Sequence, residues 1–519
     1  LHIKSLNLVT SFLFAILGGL GVEIGIHLLA RYIEERRAGT PTVESIFRML
    51  YHTGGSALTS AATVAASFWI LVINDFKGFS EFGYIAGTGL VINYAVYVLV
   101  FPSMLIMAEK LRLLSFTRGI GFDSVRREGT TLQKKWSSPG AARFPLPRFT
   151  LAGFAVLFVL TLLNLPNVDF EWRFSMIKAN VPAAREARER QRETSSSVNS
   201  PAAVVIRNHE EALAIKEAIE ASQEAAGEEN VIDAFKSSHD LIPPNQEEKL
   251  AVIGQMQDLL ADKTLKLVKG EHKKDLDRFR EALGETTTVE EHEVPEEVRE
   301  IFKGNTGVTD YELAYINPLP KMELDDGRNA IKFARQIGTI ETRLGTFHPS
   351  SDALVFADVL RTMMSDGARV VALAFIIVCA IVWLDFRSVK AAVMVVSPIV
   401  LGVFLTFLIM YVLGIRLNFY NMVVIPTSVG TSIDNAIHLY HRYREMGRGS
   451  VVAAWKSSGS AAMTSSLTNI FGFMGLCFTF HSGLRSIGSL AVAGLTACLL
   501  TTLLFFPALL QYLEDRKGA

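Results

Sequence analysis

The chain has few cysteines and few charged residues for its length. Three cysteines in 519 residues cannot form a disulfide framework. Only 20% of the residues are charged, whereas about a quarter is usual in soluble proteins. Half of the residues are hydrophobic, and the mean hydropathy is +0.29. These values exclude disordered, collagen-like and coiled-coil classes and indicate that much of the chain lies in lipid. No basic stripe with interleaved aromatic residues is present, so we expect no nucleic-acid partner.

Nine apolar stretches are long enough to cross a bilayer as helices, which takes about 20 residues. So many stretches of this length make buried helices of a large soluble protein the weaker interpretation. Short loops rich in Lys and Arg lie on the cytoplasmic side, which places the basic segment 109–148 inside. We therefore predict a multi-pass protein of the inner (plasma) membrane. The predicted spans are 8–29, 56–73, 83–107, 149–165, 368–384, 391–415, 418–440, 461–480 and 487–513.

One acidic block interrupts the spans. Residues 166–367 carry 38 acidic and 25 basic side chains, against 14 and 26 in the rest of the chain. Because the orientation alternates from span to span, this block lies on the periplasmic or extracytoplasmic side. Its strand–helix–strand and helix–strand–helix order predicts an α+β, ferredoxin-like (porter-type) domain with an inserted helical lobe. The predicted strands are 203–206, 231–235 and 311–317, the predicted helices are 209–223, 247–260, 273–283 and 327–337, and 184–199 is a predicted linker.

Comparison of the chain with itself reveals an internal repeat. At an offset of 411 residues Glu23 aligns with Asp434 and His27 with His438, and at an offset of 405 Gly83 aligns with Gly488. Both copies run in the same direction, as in a parallel transporter repeat. The second copy has three helices and an outer domain before its matching region, whereas the first copy starts at it. We therefore expect the parent protein to carry a further N-terminal half and twelve spans in all.

This comparison divides the chain into six parts. They are helices four to six of the parent (1–108), a cytoplasmic linker (109–148), helix seven (149–165), the outer domain (166–367), helices eight to twelve (368–513) and a cytoplasmic tail (514–519).

Two carboxyl groups fall inside predicted spans. A carboxylate at a helix centre costs at least about 2.5 kcal/mol, so such residues mark ion or proton paths. Glu23 and Asp434 are each followed four residues later by a histidine, His27 and His438, on the same helix face. Burial favours the neutral carboxyl form, and histidine titrates near physiological pH. These four residues form a predicted proton relay. Structural hydrogen bonding and ordinary histidine packing remain alternatives, and a metal ion is not expected because no third ligand set is evident.

The span 461–480 carries a polar face. Thr464, Ser465, Thr468 and Asn469 lie within six residues of one another. We predict that Thr464 and Thr468 extend the proton relay. The alternative is that these small polar residues hold helices together.

Together these features resemble the resistance-nodulation-division (RND) superfamily, and within it the MMPL branch of lipid and hydrophobic-compound exporters. The resemblance rests on GLGVEIGIH ending at His27, on GTSIDNAIH ending at His438, and on the Phe-Pro pairs at 101–102 and 506–507. It implies porter-like outer domains and proton-driven export, with Glu23 and Asp434 as the proton-carrying acids. MMPL exporters often place tyrosine after this acid. Here Ile24 and Asn435 follow, so coupling to another cation stays open.

The resemblance implies a secondary transporter rather than an enzyme, with the proton as coupling ion and no other cofactor. The expected partners are a lipid or hydrophobic substrate, membrane lipids and the N-terminal half of the same polypeptide. A homo-oligomer and a periplasmic accessory protein are left open. The alternatives are a sterol-sensing, Patched-like regulator and an accessory motor of protein export resembling SecD/SecF. An intramembrane hydrolase is disfavoured because no activated nucleophile accompanies the histidines.

Overall fold

The computed structural model describes residues 13–114, 143–178, 201–242, 245–260, 271–284, 294–303 and 311–518, with a few isolated positions between them. The chain forms two compact units, one of residues 1–186 and 359–519 and the other of residues 187–358. Most of the basic linker (115–142) and most of the predicted linker 184–199 lie outside the described residues.

Local sequence explains several element boundaries. Pro147 stands at the start of a helix, where its missing N–H costs nothing. Ser388 caps another helix by accepting from the Ala391 N–H, and Gly414 ends that helix in the left-handed region (φ 66°). In chain order the elements are α1 (Leu13–Arg37), α2 (Thr42–His52), α3 (Gly54–Trp69), α4 (Lys77–Leu99), α5 (Phe101–Lys110), α6 (Pro147–Asn164), α7 (Phe174–Ile177), β1 (Ala202–Ile206), α8 (His209–Ala226), β2 (Ile232–Lys236), α9 (Gln246–Leu260), α10 (Glu271–Ala282), α11 (Glu296–Glu300), β3 (Glu312–Pro318), α12 (Gly327–Ile337), β4 (Ile340–Thr342), β5 (Gly345–Phe347), α13 (Asp352–Phe386), α14 (Val389–Leu413), α15 (Val424–Met446), α16 (Val451–Cys477), α17 (Ser482–Leu500) and α18 (Phe506–Gly518).

Within the described residues, six helices are long and apolar enough to cross a membrane. The other three predicted spans are also helices, namely α1, α15 and α16, with 25, 23 and 27 residues. At about 1.5 Å per residue each of them is long enough to span the bilayer core. α1 carries Glu23 and His27, α15 carries Asp434 and His438, and α16 carries Ser465 and Asn469. The six apolar spans are Gly54–Ile73, Lys77–Leu99, Pro147–Asn167, Asp352–Phe386, Val389–Leu413 and Ser482–Arg516.

Two glycines allow the central helices to approach closely. A Cβ atom added at Gly430 of α15 would lie 2.3 Å from the Ser67 Oγ of α3, and one added at Gly19 of α1 would lie 3.4 Å from the Asn469 Cα of α16. Close helix contact at such small residues is typical of membrane bundles. In the predicted repeat α1 corresponds to α15 and α3 to α16. Each of these helices therefore packs on a helix of the other copy.

The second unit contains a three-stranded antiparallel sheet in the order β1-β3-β2. Its inner positions, such as Val204, Ala314 and Ile316, are buried, and so are Ile215 of α8 and Phe333 of α12. The three predicted strands and the four predicted helices are present, with ends shifted by at most three residues. The hairpin β4–β5 was not predicted from the sequence.

The strands of this sheet are connected as in a split βαβ unit. The helix α8 joins β1 to β2, and both strands run antiparallel to β3, which lies between them. A complete ferredoxin-like sheet has a fourth strand. In the described residues, one antiparallel bridge between Ala203 and Ser350 stands next to β1, where that strand would pair. The ferredoxin-like assignment stays a prediction.

Candidate functional site

The four residues of the predicted relay meet between α1 and α15. Glu23 and His27 lie one turn apart on α1, and Asp434 and His438 lie one turn apart on α15. Asp434 is 1% exposed and the other three are each 5% exposed. α15 itself is buried along most of its length, so its carboxyl group faces other helices rather than acyl chains.

The two histidine rings stack on each other beside Asp434. Their centroids are 4.0 Å apart and their planes differ by 7°. Asp434 Oδ1 lies 3.2 Å from His438 Nε2, and Asp434 Oδ2 lies 3.9 Å from His27 Nε2. Both Asp434 oxygens and His27 Nε2 are buried without a hydrogen bond of good geometry to the described residues. Because isolated buried charges are costly, this carboxyl group and these rings form a site where a proton strongly affects the energy.

Glu23 has a different environment from Asp434. Ser465 Oγ donates to Glu23 Oε1 at 2.6 Å, and Asn469 Nδ2 donates to Glu23 Oε2 at 3.1 Å. The two carboxyl groups also interact with each other electrostatically. At the repeat offset of 405 the counterparts of Ser465 and Asn469 are Ser60 and Val64. Valine cannot donate a hydrogen bond, so the two acids of the site are not equivalent.

Thr464 and Thr468 do not face the cluster, and their role in the relay stays a prediction. Thr464 is exposed, and its hydroxyl donates to the Ser460 carbonyl at 2.9 Å. The Thr468 hydroxyl donates to the Thr464 carbonyl at 2.9 Å. One residue corresponds to about 100° around a helix. Ser465 and Asn469, each one position further along, therefore point to Glu23 instead.

Reciprocal ion pairs connect α1 and α15 near their C-terminal ends. Arg31 NH2 lies 2.9 Å from Glu445 Oε1, and Arg442 pairs with Glu34. In the repeat Arg31 corresponds to Arg442 and Glu34 to Glu445, so each arginine binds the glutamate of the other copy. Arg442 also lies 2.8 Å from Glu445.

More than half of the chain matches one known protein family. The sequence profile of the MMPL family matches residues 1–148 and 340–517. The chain belongs to the MMPL family. It is thus a multi-pass inner-membrane protein, in agreement with its apolar helices.

Similar proteins include transporters and putative membrane proteins. This MMPL chain is 22% identical over 561 residues to "Hopanoid transporter HpnN" of Rhodopseudomonas palustris, covering 98% of this chain and 62% of the relative. It is 29% identical over 105 residues to "Putative membrane protein MJ1562" of Methanocaldococcus jannaschii, covering 20% of this chain and 27% of the relative. The chain therefore spans less than two thirds of the length of these relatives.

The crystal structure of SecDF from Thermus thermophilus resembles this MMPL chain in fold. The TM-score is 0.53 at 13% sequence identity, and the similarity covers 99% of this chain and 56% of SecDF. At this identity the similarity concerns the fold alone.

Ser56 is a site residue that sequence reasoning missed. Its hydroxyl lies 3.0 Å from His438 Nδ1. It begins a buried polar stripe on α3 that continues through Ser60, Thr63 and Ser67, at the spacing of one helix face. Such a stripe in an otherwise apolar span is the signal that could have revealed it. A second missed contact joins Asn435 Nδ2 to Ser466 Oγ at 2.8 Å.

The site brings together three groups that could act as metal ligands, which the sequence argument against a metal ion did not anticipate. Ligand atoms of His27, Asp434 and His438 all lie within 4.8 Å of one another. A tetrahedral ion needs nitrogen lone pairs that converge at about 2.0–2.1 Å. The lone pairs of stacked imidazoles lie in parallel planes, here with ring centroids 4.0 Å apart, and so do not converge. The arrangement suits proton exchange better than metal binding.

Proposed function

We propose that this chain is the proton-coupled membrane part of an exporter of lipids or other hydrophobic molecules. The observation that carries the proposal is the buried pairing of Glu23 and Asp434 with the two stacked histidines, between corresponding helices of the two copies. Buried ionisable groups in membrane spans are costly and mark ion or proton paths. Membership of the MMPL family and similarity to a hopanoid transporter support a lipid-like substrate.

Protonation in this site would change the strength of the contacts between specific pairs of helices. Glu23 connects α1 to α16 through Ser465 and Asn469. His438 connects α15 to α3 through Ser56, and Asp434 lies against His27 of α1. A proton that neutralises one carboxyl group removes its charge repulsion with the other and weakens its charge-assisted hydrogen bonds. The balance between the α1–α16 and α15–α3 contacts then shifts, which couples proton movement to helix movement.

The test is lipid flux in proteoliposomes that contain the full-length protein. A radiolabelled hopanoid is the probe, and flux is measured with a pH gradient, a sodium gradient or no gradient. We expect the pH gradient to drive flux. Glu23→Gln and Asp434→Asn should each abolish gradient-driven flux, while Glu23→Asp should retain part of it. Gel filtration checks that each variant folds.

A matched control lies on the same helix. The pair Thr464→Val and Thr468→Val should leave flux unchanged, whereas Ser465→Ala with Asn469→Leu should reduce it strongly. Full flux in the Glu23→Gln, Asp434→Asn double variant would contradict the proton role. Flux driven only by sodium would replace the proton with another cation. Absence of flux under every gradient would favour a lipid-responsive regulator.

A further inference from the structure

A large apolar cavity lies between α6, α13 and α14. Its volume is about 780 Å³, within the range of about 300–1,000 Å³ that is usual for ligand pockets. Ser397 is the one hydroxyl residue among those lining it, and its Oγ already donates to the Met394 carbonyl at 2.8 Å. The complementary ligand is therefore hydrocarbon. The lining includes Phe154, Phe158, Cys379, Trp383, Ala392 and Val400.

In the orientation predicted from the sequence, the cavity occupies the cytoplasmic half of the spans. Trp383 lies three residues before the cytoplasmic end of α13, and Val389 is the first residue of α14. On α14 the lining extends from Val389 to Leu401, which is about 18 Å at ~1.5 Å per residue. One leaflet of hydrocarbon is about 15 Å thick, half of a core of about 30 Å. The depth of the cavity thus matches an acyl chain of the inner leaflet.

Three cations stand at the cytoplasmic ends of the helices that form the cavity. Arg148 lies at the start of α6, Arg387 follows the end of α13, and Lys390 lies at the start of α14. All three are exposed, and none has an ion pair with another described residue. The neighbouring Asp385 contacts His441 at 2.7 Å and has no ion pair with Arg387 or Lys390. Exposed cations at this level attract anionic lipid headgroups.

We propose that this cavity binds one acyl chain of an anionic phospholipid from the cytoplasmic leaflet, with its phosphate near Arg148, Arg387 and Lys390. The apolar lining, the depth of one leaflet and the positive charge at the opening all match that ligand. The site does not include Glu23 or Asp434, so occupancy is independent of the proposed proton coupling. A bound phospholipid would hold α6, α13 and α14 together in the inner leaflet.

Trp383 provides a local probe. The full-length protein is reconstituted in phosphatidylcholine with increasing mole fractions of brominated phosphatidylglycerol or brominated phosphatidylcholine. The difference in fluorescence quenching between the native protein and Trp383→Phe isolates the signal of Trp383 from that of all other tryptophans. We expect half-maximal quenching at a brominated phosphatidylglycerol fraction at least about fivefold lower than for phosphatidylcholine, the factor that corresponds to one cation near an anionic surface.

Matched variants distinguish specific lipid binding in the cavity from nonspecific contact of the helices with lipid. Ala155 lines the cavity and Ala152 does not, although both are exposed residues of α6. Ala155→Phe should remove the preference for phosphatidylglycerol, whereas Ala152→Phe should retain it. Val393→Trp fills the cavity from α14 and replaces Ala155→Phe if that variant does not fold.

The charge contribution is tested at the cavity opening. Arg387→Gln with Lys390→Gln should reduce the preference about fivefold or more, while Arg448→Gln, an exposed cation of another cytoplasmic loop, should have no effect. Equal quenching by the two brominated lipids would overturn the proposal, and so would equal behaviour of Ala155→Phe and Ala152→Phe. Because quenching is measured without a gradient, a transport defect of Glu23→Gln would not affect it.

Discussion

Replacing Arg442 and Glu34 by glutamine, singly and together, should reveal a coupling energy of about 1–2 kcal/mol. The Arg442 side chain is 8% exposed and that of Glu34 is 32% exposed. Exposed ion pairs contribute about 0.2–1 kcal/mol, while removal of one partner from a fully buried pair costs about 3–5 kcal/mol. A buried arginine with a part-exposed carboxylate lies between these limits. Arg442 also pairs with Glu445, and Glu34 lies 4.0 Å from Arg31, so each single variant should cost more than the pair itself.

The assay is equilibrium unfolding of the full-length protein in mixed micelles, analysed as a double-mutant cycle. Arg48 and Glu44 provide the comparison, because they form a 2.9 Å pair within α2 and are 46% and 48% exposed. Their coupling should be about 0.3–0.5 kcal/mol. If the coupling of Arg442 to Glu34 does not exceed that of the α2 pair, these contacts between the copies are not a significant source of stability, and our reasoning from burial is refuted.

Three further changes have defined outcomes. Gly430→Ala should prevent accumulation of folded protein because its Cβ would lie 2.3 Å from a side chain of α3. Gly18→Ala should be tolerated because nothing lies within 4 Å of the added Cβ. Size-exclusion chromatography distinguishes the two outcomes. Burial would raise the pKa of Glu171, but the interactions with Arg416 and Arg173 together outweigh it and hold the pKa below its usual value. The resulting stability is present above the unfolded pKa of about 4.3 and is lost as the pH falls through the lower folded value. Arg416→Gln should therefore weaken the pH dependence of the melting temperature between pH 7 and 3. Ser56→Ala should slow lipid flux about two- to tenfold, because it removes a buried hydrogen bond worth about 0.5–1.5 kcal/mol.

The repeat made much of the candidate site predictable. Aligning the chain with itself identified Glu23, His27, Asp434 and His438, and all four converge in the fold. The repeat also contained the difference between Asn469 and Val64 that makes the two acids inequivalent. That difference has meaning only once Asn469 is known to contact Glu23.

The helical phase of α16 could not be read from the sequence. Ser465 and Asn469 are interleaved with Thr464 and Thr468, so polarity did not define one face. Threonine hydroxyls can also donate to the carbonyl one turn earlier, as Thr464 does, so a polar residue need not face a neighbouring helix. Tertiary contacts with α1 decide which of these side chains contact Glu23.

Contacts between distant segments also could not be predicted from the sequence. The alignment paired Arg31 with Arg442, yet each arginine binds the glutamate of the other copy. Likewise no local pattern predicts the cavity, because it arises from the separation of three helices. The strands β1, β2 and β3 of the second unit were predictable from their β-branched runs, whereas β4 and β5 have only three residues each and give little signal.

The crossed packing of α1 on α16 and of α15 on α3 also bears on ancestry. Gly19 and Gly430, which allow this packing, occupy matching places in the predicted repeat. A single ancestral unit could make both contacts only by associating with a second identical polypeptide. If the predicted repeat arose by duplication, a symmetric homodimer is its natural predecessor, and fusion of the two subunits would let the surroundings of the two carboxyl groups diverge.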